Sequence, residues 1–309
     1  MFEYKLSILT PTYNRGYILG TLYESLCRQT SKAFEWIIVD DGSSDNTEAL
    51  VKAWAVDSPF QIVYIKQENG GKHRALNKGI PAASYEYIYV IDSDDYLVDH
   101  AVQKIYGWIG IIDGKHGYAG ISGLRGTPDG KIIGQYPDEK PYVDATSLER
   151  EKCKLIGDKA EVIKKEILLL YPFPEFENEK FLAENAVWYR ISADGYKLRW
   201  FGDIICICEY LQDGLTKNSN SDRIRENFEG YTYVERLNIK LKEFPHNFLA
   251  IGRYYYIAKK IGLTNQEIKK RLEISSVMFN LGKAFGIARI ILKKIKAALT
   301  ITRRGEAID

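Results

Sequence analysis

Short apolar runs alternate with amphipathic stretches along the first hundred residues. Leu6-Ser7-Ile8-Leu9-Thr10 reads as a strand stopped by Pro11, and Tyr17 to Gln29 carries Ile18, Leu22 and Leu26 at helical spacing. Phe34 to Val39 predicts a second strand that runs into Asp40-Asp41-Gly42-Ser43, and Ser44 or Asp45 can cap the helix that follows through Leu50 and Trp54. Gln61 to Ile65 predicts a third strand, Arg74 to Ala82 a helix, and Tyr87 to Ile91 a fourth strand. Strands separated by single helices imply right-handed crossover units and a parallel sheet. The polar segments Thr10 to Asn14, Asp40-Asp41, Asn69 to Lys72 and Asp92 to Asp95 then all fall at the carboxyl edge of that sheet, where open α/β sheets bind ligands.

After Asp99 the pattern loosens. A helix to about Ile112 precedes a strand over Tyr118 to Leu124 and a hairpin around Pro128-Asp129-Gly130. Lys159 to Leu170 mixes strand and helix character. Phe181 to Ser192 predicts an amphipathic helix ending near Gly195, followed by two short strands, Lys197 to Phe201 and Ile204 to Glu209. Gly214 to Asp222 reads as a polar loop, and from Arg223 onward the chain is helical, which puts a boundary near residue 225.

Composition narrows the class. The 309 residues are 45% hydrophobic and 27% charged, which excludes global disorder, and a net charge of +2 offers no general attraction for nucleic acid. The four cysteines are too few and too scattered for a disulfide framework. Cys206 and Cys208 read as alternation on a strand, and a reducing cytosol fits. Met1 to Lys5 runs straight into a strand without a signal peptide, and no apolar run is long enough to span a bilayer.

Candidate chemistry begins at Asp92-Ser93-Asp94-Asp95. Three carboxylates at a strand end repel one another in a cleft of low dielectric, and a divalent cation with oxygen preference relieves that repulsion. The competing reading is a solvated turn that caps a helix. Three companion motifs decide between them: Thr10-Pro11-Thr12-Tyr13-Asn14-Arg15, Val39-Asp40-Asp41-Gly42-Ser43-Ser44-Asp45, and Asn69-Gly70-Gly71-Lys72-His73-Arg74-Ala75-Leu76-Asn77-Lys78-Gly79.

With all four motifs in this order, residues 5 to 210 resemble a family 2 glycosyltransferase. The resemblance implies an α/β fold of GT-A type, a Rossmann-like, mostly parallel sheet flanked by helices, here with a C-terminal helical extension. It implies inverting sugar transfer from a UDP-sugar with Mg²⁺ or Mn²⁺ as cofactor. It assigns Asp41 to the uracil N3–H, and Thr10, Pro11 and Tyr13 to the base pocket. Asn69 and Lys72 fall beneath the ribose and diphosphate, with Gly70-Gly71 allowing close backbone approach. Asp94 becomes the direct metal ligand, Asp92 a ribose or metal-water contact, and Asp95, beyond Ser93 in the same donor loop, an orienter of the sugar. His73 and Arg74 can be surface residues.

Inversion requires a base, and here the chain departs from the commonest pattern. Many relatives place Asp where this chain has Asn185, which cannot accept a proton. Glu184 can, with Glu177, Glu179 and Asp158 in reserve. The expected acceptor is a saccharide, free or lipid-linked, in bacterial surface polysaccharide synthesis. The rivals are transfer to a polyprenyl phosphate and a catalytically silent nucleotide-sugar scaffold, the latter motivated by Asn185.

The tail is basic. Between Lys259 and Arg304 stand twelve Lys or Arg and two acids, Glu267 and Glu273, interleaved with apolar residues. That pattern suits a helix lying on anionic membrane, through residues 265–304 and at the inner face of the cell membrane, or a helix packed on its own domain. Nucleic acid is not an expected partner.

Overall fold

The computed structural model describes residues 6–137, 140–209 and 220–289, which group into two compact units, Met1–Asn220 and Ser221–Asp309. The expected polar loop from Gly214 lies largely outside the described residues, and Asn220–Glu226 is helical.

The first unit is built on one nine-stranded sheet of order β3-β2-β1-β4-β8-β6-β9-β5, with β7 paired to β9. Its first half is parallel: β1 (Leu6–Thr12), β2 (Phe34–Asp40), β3 (Gln61–Lys66) and β4 (Tyr87–Val90). Helices α1 (Leu19–Arg28), α2 (Thr47–Asp57) and α3 (Lys72–Ala82) make the crossovers. Every residue of β1 and β2 is buried, as strands covered on both faces require, and Trp36 and Ile38 sit in the main core with Leu22 and Leu26.

Pro11 does not stop β1, which runs on to Thr12. Leu9 and Pro11 turn their polar backbone groups towards β4. That ladder ends at Val90, so the N–H that proline lacks has no partner to lose there.

The second half of the sheet is mixed. β5 (Asp95–Leu97) leads into α4 (Ala101–Ile112), then β6 (Tyr118–Gly126), β7 (Tyr142–Ala145) and β8 (Lys159–Lys164). The ambiguous stretch 159–170 resolves into β8 followed directly by α5 (Lys165–Leu170). The expected helix over Phe181 to Ser192 is shorter: α6 is Asn185–Ala193. The two expected strands after it are a single one, β9 (Lys197–Cys208), whose register against β6 shifts at Ser122/Leu124 and Leu124/Arg125. β4, β7 and β5 meet their partners β8, β9 and β9 antiparallel.

The second unit is helical: α7 (Asn220–Glu226), α8 (Phe228–Leu241), α9 (His246–Lys260), α10 (Asn265–Leu272) and α11 (residues 276–289). Ala250, Ile251, Tyr254, Ile268 and Phe279 form its own core. No described helix is long and apolar enough to cross a membrane.

Candidate active site

The carboxyl ends of β1, β2, β3 and β4 bring the four sequence motifs to one edge. Asn14 takes a left-handed turn (φ 51°) after β1 and joins the β2 loop, its N–H donating to Ser43 Oγ at 2.8 Å and its side-chain oxygen accepting from the Ser44 N–H. Asp45 accepts from the Gly16 N–H and from the Thr47 N–H and hydroxyl. Burial would raise its carboxyl, and those hydrogen bonds outweigh it and hold the pKa low.

Asp41 is buried and accepts four hydrogen bonds from the next loop: Gln67 Nε2 at 2.7 Å, Asn69 Nδ2 at 3.1 Å, Gly70 N–H at 2.8 Å and Gly71 N–H at 2.7 Å. A carboxylate offers about four acceptor positions, so these bonds use its capacity. Asp41 thus organises the Asn69-Gly70-Gly71 loop, and a uracil contact would have to displace one of these donors. Gly71 is required twice over. It has φ 95°, and a Cβ there would lie 1.9 Å from the Lys180 carbonyl oxygen. The close approach expected of a ligand is made by the chain's own backbone.

Thr10 and Pro11 are buried, and the Thr10 hydroxyl accepts from the Trp36 indole at 3.0 Å. Thr10 therefore backs the site from within the core and does not line an open pocket. Tyr13 is 48% exposed at the edge, where its ring can serve as a wall.

The carboxylates after β4 divide sharply. Lys72 Nζ is 2.5 Å from Asp92 Oδ1 and 2.8 Å from Glu184 Oε1, bridging the two. Burial alone would lower the Lys72 pKa, but the two carboxylates outweigh it and hold it well above the ordinary lysine value. Burial would raise Asp92, and Lys72 and Arg125 instead hold it down. Asp95 points inward: buried, it pairs with Arg125 Nη1 at 2.6 Å, and so does not face a sugar site as expected. Arg125 also lies 3.8 Å from Asp92 and donates to the Lys159 carbonyl. Ser93 is buried. Asp94 is the exception, with no ion-pair partner among the described residues. Burial and the neighbouring Asp92 raise its pKa. A half-buried carboxylate of this kind beside a second one is an oxygen donor set that fits a hard divalent cation, which takes one or two protein carboxylates and completes its shell with phosphate and water.

Another cluster within ligand range joins Asp95, Cys206 and Cys208. Arg125 already supplies the positive charge there, 2.6 Å from Asp95 and 3.7 Å from Cys208 Sγ. The adjacent Cys206 and burial push the Cys208 thiol up, and with Arg125 these three side chains form a buried polar knot.

Glu184, expected inside a helix over Phe181 to Ser192, instead ends the irregular stretch that runs from Tyr171 to α6. Arg74, treated as a surface candidate, clamps it, donating to the carbonyls of Phe176 and Glu179 and pairing with Glu175. Asn77 adds a two-way bond to the Phe173 backbone, 2.9 Å in each direction, and Lys180 reaches Asn69 at 2.8 Å. His73 is buried, not superficial. Glu184 then stands as the N-cap of α6, with Asn185 as its first residue. Of the reserve acids, Glu177 and Asp158 are exposed and Glu179 is buried.

Behind Glu184 a narrow cleft is lined by Arg125, Glu161, Val90, Ile163, Leu168 and Trp188. Burial pushes Glu161 up to about 7, with Arg150 and Arg125 pulling down and Glu184 adding to the rise. Neither Arg125 nor Glu161 was legible as a site residue. Arg125 is the one charge on β6 and Glu161 stands between two lysines on β8, and only the pairing of β6 with β8 and β9 brings them together.

Residues 7–133 match the sequence profile of glycosyl transferase family 2. The glycosyltransferase GlyG of Streptococcus pneumoniae is 35% identical over 101 residues, 33% of this chain and 34% of GlyG, so the match spans about a third of that relative's length. The putative teichuronic acid biosynthesis glycosyltransferase TuaG of Bacillus subtilis is 28% identical over 238 residues, covering 75% of this chain and 89% of TuaG. In architecture the chain is similar to Staphylococcus aureus TarS 1-349, solved in complex with UDP-GlcNAc. The TM-score is 0.59 at 16% identity, over 92% of this chain and 80% of that one.

Proposed function

The chain belongs to glycosyl transferase family 2 through residues 7–133, and on that premise we propose that it moves one sugar from a UDP-sugar to a hydroxyl of a saccharide acceptor, with inversion at the anomeric carbon. The observation that carries this reading is the Lys72 bridge, which puts an accepting carboxylate, Glu184, on the same cation as the donor-loop carboxylate Asp92. TarS, of similar architecture, was solved with UDP-GlcNAc, which supports a UDP-sugar donor. TuaG, named for teichuronic acid synthesis, supports a bacterial surface glycan as acceptor. The four free cysteines suit a reducing cytoplasm.

The chemistry divides between the two sides of that bridge. Asp94 and Asp92 would hold Mg²⁺ or Mn²⁺, which supplies charge stabilisation for the departing diphosphate. Lys72 adds a second positive charge on that side. As the anomeric C–O bond to UDP breaks and the acceptor oxygen attacks, Glu184 takes the hydroxyl proton, a step Asn185 cannot perform. Asp41 shapes the loop against which the nucleotide lies, and Tyr13 offers a face for its base.

The test is release of UDP from a panel of UDP-sugars, with and without Mg²⁺ or Mn²⁺, beside calorimetry of UDP binding. Metal-dependent turnover of one donor is expected. Asp94→Asn should weaken UDP binding about 10-fold with the cation present and leave it unchanged without. A protein that binds UDP yet turns over no donor would be the silent scaffold suggested by Asn185, and the transferase reading would fall.

A further inference from the structure

The helix α11, residues 276–289, is apolar on two opposite sides, and only one of them is covered. Phe279, Gly282 and Gly286 recur at the spacing of one helix face and are buried. Val277, Leu281, Ala284, Phe285 and Ala288 recur at i, i+4, i+7, i+8 and i+11, which is the opposite face, and all five are exposed. Val277 is 69% and Leu281 54% accessible.

The helix cannot roll to hide this second stripe. A Cβ at Gly286 would fall 2.5 Å from the Cα of Gly252 on α9, and one at Gly282 would fall 2.6 Å from Cβ of Ile251. Any larger side chain turned into that seat would collide, so the glycines fix which face is buried. At one end the stripe widens. Phe285 meets Phe244 edge-on at 5.5 Å and Phe248 at 6.4 Å, and Phe244 is itself 67% exposed.

We propose that this exposed face of α11, together with Phe244, docks the protein on the surface of an anionic lipid bilayer. Charge selects the occupant. From Ile274 to Gly305 the chain carries seven Lys or Arg and no acid; on α11 itself Arg289 borders the stripe, while Lys283 stands nearer the covered face, its ammonium over the Tyr255 ring at 5.1 Å. Against these stands Glu243, beside Phe244. A second copy of the chain would bring two cationic rims together, whereas a bilayer of negative headgroups neutralises them as the apolar side chains enter the acyl boundary. No described helix is long and apolar enough to cross a membrane, so the mode of attachment is to lie on the surface. The inference is independent of the sugar-transfer reading and draws on none of its residues.

The experiment is co-sedimentation of the full chain with sucrose-loaded vesicles, one set of phosphatidylcholine alone and one with phosphatidylglycerol added. Binding should favour the anionic set by about 10-fold or more and weaken as salt rises. The pair Val277→Ser with Leu281→Ser leaves the glycine seat and the aromatic trio intact and should lower that binding about 10-fold with an unchanged circular dichroism spectrum. Charge reversal by Lys283→Glu with Arg289→Glu should remove the preference for anionic vesicles. The proposal is overturned if the full chain stays in the supernatant with anionic vesicles, or if both variants pellet as it does. A dimer in lipid-free sedimentation equilibrium that the Val277/Leu281 variant splits would also overturn it, in favour of a second copy.

Discussion

The two halves of the nine-stranded sheet hold their carboxylates in opposite ways. In the parallel half, each acid follows its own strand and is tied by loops from neighbouring strands: Asp45 to Gly16 and Thr47, Asp41 to Gln67 through Gly71. In the mixed half, Glu184 is not positioned by its own neighbours. The segment before it is held by Arg74 and Asn77, whose partners in 173–179 lie about a hundred residues further along the chain. The first half is built to be stable before any ligand arrives. The second is suspended from it, with its acid resting on Lys72. A defect in the Asp41 clamp should therefore damage the fold, and one at Glu184 or its tethers should damage turnover.

The largest expected effect is chemical. Glu184→Gln keeps the size of the side chain and removes the proposed base, so turnover should fall by about 10²- to 10⁴-fold, roughly 2.7 to 5.5 kcal/mol of barrier, with UDP affinity retained. A loss under about threefold at saturating donor would take Glu184 out of that role.

Asp41→Asn attacks the parallel half. The amide has one oxygen where four donors converge, which leaves at least two of them unsatisfied at about 1–3 kcal/mol each, so denaturant unfolding should show a loss of about 3 kcal/mol. An unchanged midpoint would mean the loop does not depend on Asp41.

Glu161 gives the mixed half a pH signature. Its folded pKa, raised to about 7, exceeds that of the unfolded chain. The native state then keeps a proton that the unfolded chain releases, so stability is highest at acid pH and falls as pH rises towards 7. The decline should be on the order of 2–3 kcal/mol across that window. Unfolding of Glu161→Gln beside the parent at about pH 5 and about pH 8 isolates this contribution, because the variant should lack the decline. Equal slopes in both proteins would dismiss the buried-acid assignment.

The smallest effect sharpens the contrast most. Asn77→Ala removes one clamp on the 173–175 backbone and touches nothing in the donor loops. The two lost hydrogen bonds to the Phe173 backbone, about 1 kcal/mol each, should lower turnover by about 10- to 30-fold and leave UDP binding as it was. A parallel loss of UDP affinity would show that the two halves are not separable in this way.

Legibility followed the same divide. The parallel strands and their helices were readable because their periodicity and their polar ends are local, and the four motif loops could be placed at one sheet edge from strand order alone. Side-chain direction was not readable. Thr10 and Asp95 both sit in motifs, yet one faces Trp36 and the other Arg125, because alternation along β1 and the pairing of β5 with β9 turn them inward. Arg125 and Glu161 left no signal, since a charge on a strand looks alike in sequence whether it is solvated or paired.

By itself, the sequence determined that a run of α/β crossovers ends in acids at one edge, that the chain resembles family 2, that Asn185 cannot be a base, and that the tail is cationic. Those are consequences of residue type and short-range spacing. Tertiary structure decided the rest: that Asp41 is a loop clamp, that Lys72 joins Asp92 to Glu184, that Arg74 and Asn77 hang the acceptor segment from α3, and which face of α11 is left bare. Each of these depends on which distant segments pack together, because the strength of a charge or hydrogen bond is set by its burial and partners.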